Sequence, residues 1–432
     1  MQISELYNLY LKHPFIQTDS RKLKEGDLFF ALKGPHFNGN LFANQAIADG
    51  AAYAIVGEEI KVLNERIIRV ENVLNTLQEL AEYHRRQFTL SPDRKQIPFI
   101  AVTGSNGKTT SKELIHVVLS SVYKTYTTEG NLNNHIGIPL TILKIKPDAE
   151  IAIIEMGANH KKEIAGYCTY TMPTHGVITN CGKAHLEGFG SEEGIRKGKG
   201  ELFDYLRVNN GTAFVMWDYD YLQEMSAGIS NIITYGTHSA SITGKVKTSK
   251  GLLEVSMTKG AGLDTIKTKL VGEYNLPNVL LAVAIGKYFN VPDEKIRLAL
   301  ENYIPSNSRS QLIEKDGNKI ILDAYNANPS SMKAAIENFA KMEGTNKVLI
   351  LGGMMELGQE SLPEHQALIE LIKKYQWKNV VLVGGDFKKA DQPYLYFENS
   401  VQAKEWFRDQ KIVGTNILIK GSRSTQMEKV LE

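Results

Sequence analysis

The stretch Val102-Thr103-Gly104-Ser105-Asn106-Gly107-Lys108-Thr109-Thr110 carries the clearest chemistry in this sequence. An apolar run, PFIAVTG, leads into it, and a helical pattern, KTTSKELIHVVLSSV, leads out. A glycine-containing turn between strand and helix lets backbone N–H groups approach a phosphate, and the helix N-terminus adds positive partial charge. In that setting Lys108 reaches the β- and γ-phosphates of a nucleotide, and the Thr109 hydroxyl can ligate Mg²⁺. The loop departs from the general G-x-x-x-x-G-K-[ST] pattern, because Val102 stands where the first glycine would fall. An ordinary glycine-rich turn would leave Lys108 unexplained, since the start of a helix disfavours a cation unless an anion sits there.

Other residues could serve the same chemistry. Glu155 ends the apolar run EIAIIEM (150–156), and a doubly wound sheet would face it toward the phosphate loop. A carboxylate there suits Mg²⁺, a hard cation that prefers oxygen. His185 follows the run HGVIT (175–179) within Gly-Lys-Ala-His; taken alone, a histidine there is more often structural or solvated. Asn275 and Asn278 flank the start of the helical pattern NLPNVLLAVAIGKYF, where asparagine commonly caps. Asn326-Ala327-Asn328-Pro329 reads as a turn. Lys420, Ser422 and Arg423 lie where the run NILIKG (416–421) ends, the place at which open α/β sheets bind ligands.

These residues need a scaffold, and its pattern is α/β. Residues 1–90 read as a small α/β unit: a short strand in DLFFAL, a helix near ANQAIADGA, a strand AYAIVG and a helix LNTLQELAEYHRRQF. LSPDRKQIP (90–98), polar with two prolines, reads as a linker. Beyond it, apolar runs alternate with helical patterns, which argues for a mostly parallel sheet with helices on both faces. Residues 245–270 look instead like a β-rich excursion, and the 275–289 helix closes this part. From Pro305, strands KIILDAY, KVLILGG, NVVLVGG and NILIKG alternate with helices, as in a Rossmann-like domain. The expected domains are therefore 1–92, 93–304 and 305–432.

Bulk properties exclude other classes. Lys plus Arg is 50 against 48 for Asp plus Glu, a net charge of +2, so nothing demands nucleic acid as a partner. The two cysteines, Cys168 and Cys181, read as reduced structural thiols, which favours a cytoplasmic location. The N-terminal segment, with Glu5 early, does not read as a signal peptide. No run approaches the roughly 18 apolar residues needed for a membrane span.

TGSNGKTT is the form this loop takes in the Mur ligase and folylpolyglutamate synthase superfamily, and the resemblance continues along the chain. TDSRKLKEGDLFFALKG resembles the N-terminal domain, and TEGNLNNHIGIPLTIL (128–143) the segment after the first crossover. EMGANHKKEI, ITNCGKAHLEGFGS, GKGELF, GEYNLPN, LDAYNANPSSM, LGGMMELG and IKGSRSTQME follow in order. AYNANPSSM and GGMMELG resemble the members that add D-alanyl-D-alanine. The D-N-P-R signature of the diaminopimelate- or lysine-adding relatives is missing from the sequence. Asn38-Gly39-Asn40 stands where relatives often have Asp-Gly-His, a departure that bears on nucleotide-sugar contacts.

The resemblance implies an ATP- and Mg²⁺-dependent, monomeric ligase. It would phosphorylate the carboxylate of uridine-diphosphate N-acetylmuramoyl-tripeptide to an acyl phosphate, which the amine of D-alanyl-D-alanine then attacks. Thr103 to Thr110 would hold the nucleotide phosphates, with Lys108 catalytic. Glu155, His185, Thr109 and Lys199 would hold metal, Lys199 as an N-carboxylated side chain. Carbamylation needs a neutral amine, which is scarce at neutral pH for an ordinary lysine, so the site must favour that form. Asn275 would hold adenine, while Arg309 and Asp323 reach phosphate and ribose. Asn133 and Asn134 would line the muramoyl-peptide side, Ser20 and Arg21 the uridine diphosphate, and Tyr325, Asn326 and Asn328 a closing loop. Lys420, Ser422 and Arg423 are placed with the dipeptide. The alternatives are another Mur ligase, a folylpolyglutamate synthase-like ligase, or a nucleotide-dependent switch without ligase activity. The tripeptide's third residue stays open.

Overall fold

Runs of apolar residues bounded by turns become buried strands. In the computed structural model Phe99–Thr103, Ile151–Glu155, Thr212–Met216 and Lys347–Gly352 are buried along their whole length, as parallel strands covered on both faces must be. The structure describes every residue except 59–63, 90–95, 249–250 and 307. The expected linker at 90–98 lies, apart from 96–98, outside the described residues.

Four parallel strands open the chain in the order Ile16–Gln17, Leu28–Phe30, Tyr53–Val56 and Ile67–Arg69. Their core gathers Phe29, Ala43, Ile47, Ala54, Val56 and Ile67. A nine-stranded sheet follows, ordered Thr265–Val271, Leu252–Lys259, Ile242–Thr248, Asn231–Gly236, Thr212–Met216, His175–Ile178, Phe99–Thr103, Ile151–Glu155 and Thr125–Thr127. Its first three strands pair antiparallel and form the expected β-rich excursion. The helix Leu276–Tyr288 is buried on nearly every side, which accounts for its uniformly apolar sequence. A further helix, Asp293–Asn302, follows it, so the 275–289 pattern does not close this part.

The last sheet has six strands. Asn318–Asp323, Asn416–Lys420, Lys347–Gly352 and Asn379–Val383 form the expected parallel centre around Ile320, Ile350, Val381 and Ile417. Two edge strands were not apparent in the sequence pattern: Gln311–Lys315, antiparallel, and the short Leu395–Phe397, parallel. The chain forms two compact units. The first comprises Met1–Ala101, Lys124–Gly157 and Glu163–His175, and the second Val102–Tyr123, Ala158–Lys162 and Gly176–Glu432.

Polar groups also hold the first unit together. Fully buried Arg85 donates Nε to the Thr171 carbonyl and Nη2 to that of Met172, both at 2.9 Å. It thereby satisfies carbonyls at the end of the helix Glu163–Thr171, where the helix itself offers no further N–H partners. Buried His84 lies with Nε2 2.8 Å from the Ile145 carbonyl and Nδ1 3.0 Å from the Tyr7 hydroxyl. A carbonyl only accepts, so Nε2 carries the proton and Nδ1 accepts from the tyrosine.

Burial pushes His84 below its ordinary pKa of 6.5 and lowers His175 to about 4. The unfolded chain binds these protons near pH 6.5, whereas the folded chain resists them. The stability tied to His175 is therefore full above that pH and declines as pH falls from 6.5 toward about 4, by up to about 1.4 kcal/mol per pH unit, and His84 adds a loss in the same direction. We predict a lower melting temperature at pH 5 than at pH 7, and a smaller difference in His175→Gln. Equal differences in the two proteins would assign the acid loss to other groups.

Candidate active site

Two glycines shape the phosphate loop. Gly104 has φ +139° and Gly107 φ +80°, conformations that side chains resist. A Cβ on Gly104 would come within 2.0 Å of Thr179 Oγ1, and one on Gly107 within 2.8 Å of Asn278 Oδ1. Between them, Asn180 clamps the backbone of Asn106, accepting its N–H at 3.2 Å and donating to its carbonyl at 3.0 Å. The Thr179 hydroxyl donates to that same carbonyl at 2.6 Å. Ser105 is tied through its N–H to the Asn180 carbonyl and through its hydroxyl to that of Gly182. Thr103 ends the preceding strand, and the helix Lys108–Ser120 starts at the loop's end with Lys108, Thr109 and Thr110 in its first turn. Lys108 Nζ donates to the carbonyls of Gly104 and Ser105 at 2.6 and 3.1 Å. The result is a rigid strand–loop–helix turn whose lysine and helix N-terminus share one end.

Other parts of the second unit converge on this loop. Asn328 caps the helix Pro329–Lys341 through Ser331 and donates Nδ2 to Asn106 Oδ1 at 2.7 Å. The Ser330 hydroxyl accepts the Lys183 N–H at 2.9 Å. Lys183 Nζ in turn pairs with Glu364 at 2.7 Å, which raises the lysine's pKa. Asn275 and Asn278 do not cap as their positions suggested. Asn275 makes no side-chain cap; its Nδ2 donates to the Val271 carbonyl, and its Oδ1 accepts from Asn278. Asn278 Oδ1 accepts from the Ser111 hydroxyl at 3.0 Å, linking this pair to the phosphate-loop helix.

Near the C-terminal sheet, strand register sets Asp323 opposite Lys420. Buried Lys420 donates to Asp323 Oδ2 at 2.6 Å and to the Asn326 carbonyl at 3.2 Å. Asp323 Oδ1 accepts the Ser310 N–H at 3.3 Å. The Arg309 guanidinium stacks 3.4 Å over the Tyr325 ring. Asn326 Oδ1 accepts the N–H of Ala327, holding the turn. Ser422 is buried, and Arg423 is exposed and paired with Glu428.

His185 sits in the left-handed region, φ +54°, ahead of the short helix Leu186–Phe189. Its Nδ1 lies against the Glu356 carboxylate, and this contact holds Glu356 below the usual carboxylate range. Lys199, almost fully buried in the helix Glu192–Val208, donates Nζ to the Ala158 carbonyl at 2.9 Å and lies 5.0 Å from the Phe189 ring centre. Lys197, by contrast, is exposed and pairs with Glu193. Burial pushes the Cys181 thiol up to about 12, so it is an inert structural thiol.

The first unit carries the remaining candidates. Glu155 is 1% exposed, and its Oε1 accepts from Asn133 Nδ2 at 2.8 Å. Asn134 spends its side chain accepting the N–H groups of Ile136 and Gly137. Ser20 and Arg21 lie on an exposed 3₁₀ turn, where Arg21 forms a two-pronged pair with Asp19 at 2.8 Å.

The donor set can be tested against Mg²⁺. Among the described residues, no three His, Cys, Asp or Glu side chains gather closely enough to hold a metal. Within the expected set only Glu155 and His185 are of those types, so the Thr109 hydroxyl and a carbamate on Lys199 would have to complete it. Taken singly, each of these side chains offers the oxygen or nitrogen lone pair that such a role requires. A carboxylate buried as deeply as Glu155 calls for a cation or several donors, and a carbamate would turn Lys199 from a buried cation into an anionic oxygen ligand.

The sequence reading missed Glu356, Asn180 and the Lys183–Glu364 pair. ITNCGKAH does show a polar residue directly after a strand, the position from which Asn180 reaches the loop. For Glu356, nothing in its neighbours in sequence points to His185.

Comparison with known proteins bears on the whole chain. Residues 13–85 match the Mur ligase family catalytic domain, 102–286 the Mur ligase middle domain and 308–422 the Mur ligase glutamate ligase domain. The chain is 35% identical to UDP-N-acetylmuramoyl-tripeptide--D-alanyl-D-alanine ligase of Escherichia coli, covering 96% of this chain and 92% of the relative. It is 33% identical to the Bacillus subtilis ligase of the same name, with the same coverage. The crystal structure of MurF ligase from Thermotoga maritima in complex with ADP superimposes with a TM-score of 0.87 at 27% identity, covering 98% and 97% of the two chains. Such neighbours have the three-domain α/β architecture that the strand and helix order here reproduces. On this evidence the chain belongs to the Mur ligase family.

Proposed function

We propose that this chain uses ATP to join D-alanyl-D-alanine to the peptide carboxylate of uridine-diphosphate N-acetylmuramoyl-tripeptide, releasing ADP and phosphate. The observation that carries the reading is identity of 33% and 35% to ligases of that name across 96% of the chain. The match at 13–85 favours it over a folylpolyglutamate synthase-like enzyme, which generally lacks such an N-terminal module. The relative in complex with ADP supports a nucleotide at the phosphate loop.

Three domains would share the work: 1–92 for the uridine nucleotide, 93–304 for ATP and 305–432 for the dipeptide. Ser20 and Arg21 face the uridine diphosphate, and Asn133 and Asn134 the muramoyl peptide. Because Asn134 Oδ1 already accepts the N–H groups of Ile136 and Gly137, Asn133 is the better placed of the two. Residues Thr103 to Thr110 bind phosphates, Asn275 adenine, Arg309 a phosphate and Asp323 the ribose. The Lys420 and Ser310 contacts fix the Asp323 carboxylate in one orientation, which suits a hydroxyl partner. Tyr325, Asn326 and Asn328 close over the site, with Lys420, Ser422 and Arg423 toward the dipeptide.

In the first step a substrate carboxylate oxygen bonds to the γ-phosphorus, and the bond to the bridging oxygen breaks to release ADP. In the second the dipeptide amine bonds to the acyl carbon, phosphate departs with the C–O electrons, and the nitrogen loses a proton. Lys108 counters charge on the transferring phosphoryl group, where preorganised charge contributes most. Thr109, Glu155, His185 and carbamylated Lys199 would hold Mg²⁺, which when bound neutralises phosphate charge. No helix among the described residues is long and apolar enough to cross a membrane, and we place the protein in the cytoplasm as a monomer.

The test is phosphate release from ATP and Mg²⁺ with the uridine-diphosphate muramoyl-tripeptide, with and without D-alanyl-D-alanine, read together with product mass. Release that depends on the dipeptide, with the mass of one added dipeptide, is the expected result. Release with a single amino acid in its place would move the chain to another adding step of the family. ATP binding with no product from any candidate acceptor would favour a nucleotide-dependent switch.

A further inference from the structure

We propose that Glu356 is a positioning residue for His185, and that His365 fixes the loop that delivers it. The strand Lys347–Gly352 ends in a loop, Gly353-Met354-Met355-Glu356-Leu357-Gly358, before the helix Ser361–Ile372. His365, on that helix, is fully buried and packs edge-on against Phe387, ring centres 4.6 Å apart. Its Nδ1 lies 2.6 Å from the Ser361 carbonyl, and its Nε2 accepts the Met354 N–H at 3.1 Å. A carbonyl only accepts and a backbone N–H only donates, so a single neutral tautomer meets both. The ring is thus a fixed peg under the start of the loop.

Two residues beyond Met354 the backbone turns sharply. Glu356 takes φ +61° and His185 φ +54°, a region that non-glycine residues seldom occupy. Such conformations persist where the surroundings determine them. Here the Glu356 carbonyl accepts the Glu187 N–H at 3.2 Å, and its carboxylate lies against His185 Nδ1. The negative charge of a carboxylate against Nδ1 favours a proton on that nitrogen, which leaves the lone pair on Nε2. Imidazoles that bind metals are commonly oriented by a carboxylate in this way. Glu356 therefore selects both the ring orientation and the nitrogen that His185 offers. The consequence for Mg²⁺ rests on the metal role proposed above for His185, whereas the positioning itself does not.

The experiment labels histidine with ¹⁵N in the full chain, free of nucleotide and metal, and assigns His185 by the resonance lost in His185→Gln. We expect the Nδ1–H tautomer in the parent. Glu356→Ala should move His185 toward the Nε2–H tautomer that a free histidine side chain favours in water. His365→Leu should do the same, while His365→Gln, which can still accept the Met354 N–H, should keep the parental signature. In parallel, the Mg²⁺ concentration for half-maximal phosphate release should rise about 10- to 100-fold in Glu356→Ala and His365→Leu. A parental His185 protonated at Nε2, or a signature unchanged in Glu356→Ala, would overturn the positioning role. A switched tautomer with an unchanged Mg²⁺ requirement would uphold the positioning and overturn the metal reading of His185.

Discussion

Lys108→Ala should lower dipeptide-dependent phosphate release by about 10³-fold, the scale of removing a preorganised charge from a transition state. It should leave the melting temperature within about 2 °C of the parent, because other residues hold the turn. Lys108 donates to the carbonyls of its own loop, Gly104 and Ser105. The turn itself is fixed elsewhere, by the Asn180 clamp on Asn106, the Thr179 hydroxyl and the two Ser105 bonds. Removing the ammonium therefore deletes charge without collapsing the cradle. Turnover is measured as released phosphate and folding as thermal melting. Wild-type turnover in a folded variant would sink the assignment of this loop to the transferred phosphoryl group, and a large loss of melting temperature would recast Lys108 as structural.

The phosphate loop was legible because its properties are local. Gly104 and Gly107 are needed for backbone conformations set within the loop, and Lys108 stands out against the helix dipole in the sequence alone. The central strands were legible for a related reason: a parallel strand covered on both faces has to be a continuous apolar run, as in Lys347–Gly352. The edge strand Gln311–Lys315 carries partly exposed and charged residues, so its pattern did not separate it from a loop. Asn275, which the resemblance assigns to adenine, could by its position equally have capped its helix, because the asparagine side chain can serve a helix terminus or a distant carbonyl equally well. Only the fold, by bringing Val271 and Asn278 beside it, decides between them. Glu356 beside His185 was out of reach for the same reason: the pairing joins segments remote in sequence, through a backbone turn that no residue type at that position announces.

Lys199→Arg should reduce turnover by about 10²- to 10³-fold if the lysine acts as a carbamate, since arginine keeps the positive charge but offers no amine to react with CO₂. The structure frames the choice. Lys199 is 1% exposed, whereas its neighbour Lys197 is exposed and paired on the surface. A buried ammonium is costly unless well compensated, and the Ala158 carbonyl and the Phe189 ring are among the contacts that Lys199 makes here. The ammonium first gives up one proton; the neutral amine nitrogen then bonds to the carbon of CO₂, one C=O bond opens to a carboxylate oxygen and a second proton leaves the nitrogen, so two protons are released in turning a cation into an anion that Mg²⁺ can offset. The side chain would then offer an anionic oxygen, the kind of ligand that Mg²⁺ prefers. Protein equilibrated with ¹³C-bicarbonate should give a carbamate carbon resonance that Lys199→Arg lacks and Lys197→Arg retains, and removal of CO₂ should lower turnover reversibly. A resonance that survives in Lys199→Arg would place the carbamate elsewhere. Loss of turnover in that variant, with neither a carbamate signal nor CO₂ dependence in the parent, would leave Lys199 to act as a plain ammonium and the metal site to be completed by other oxygens.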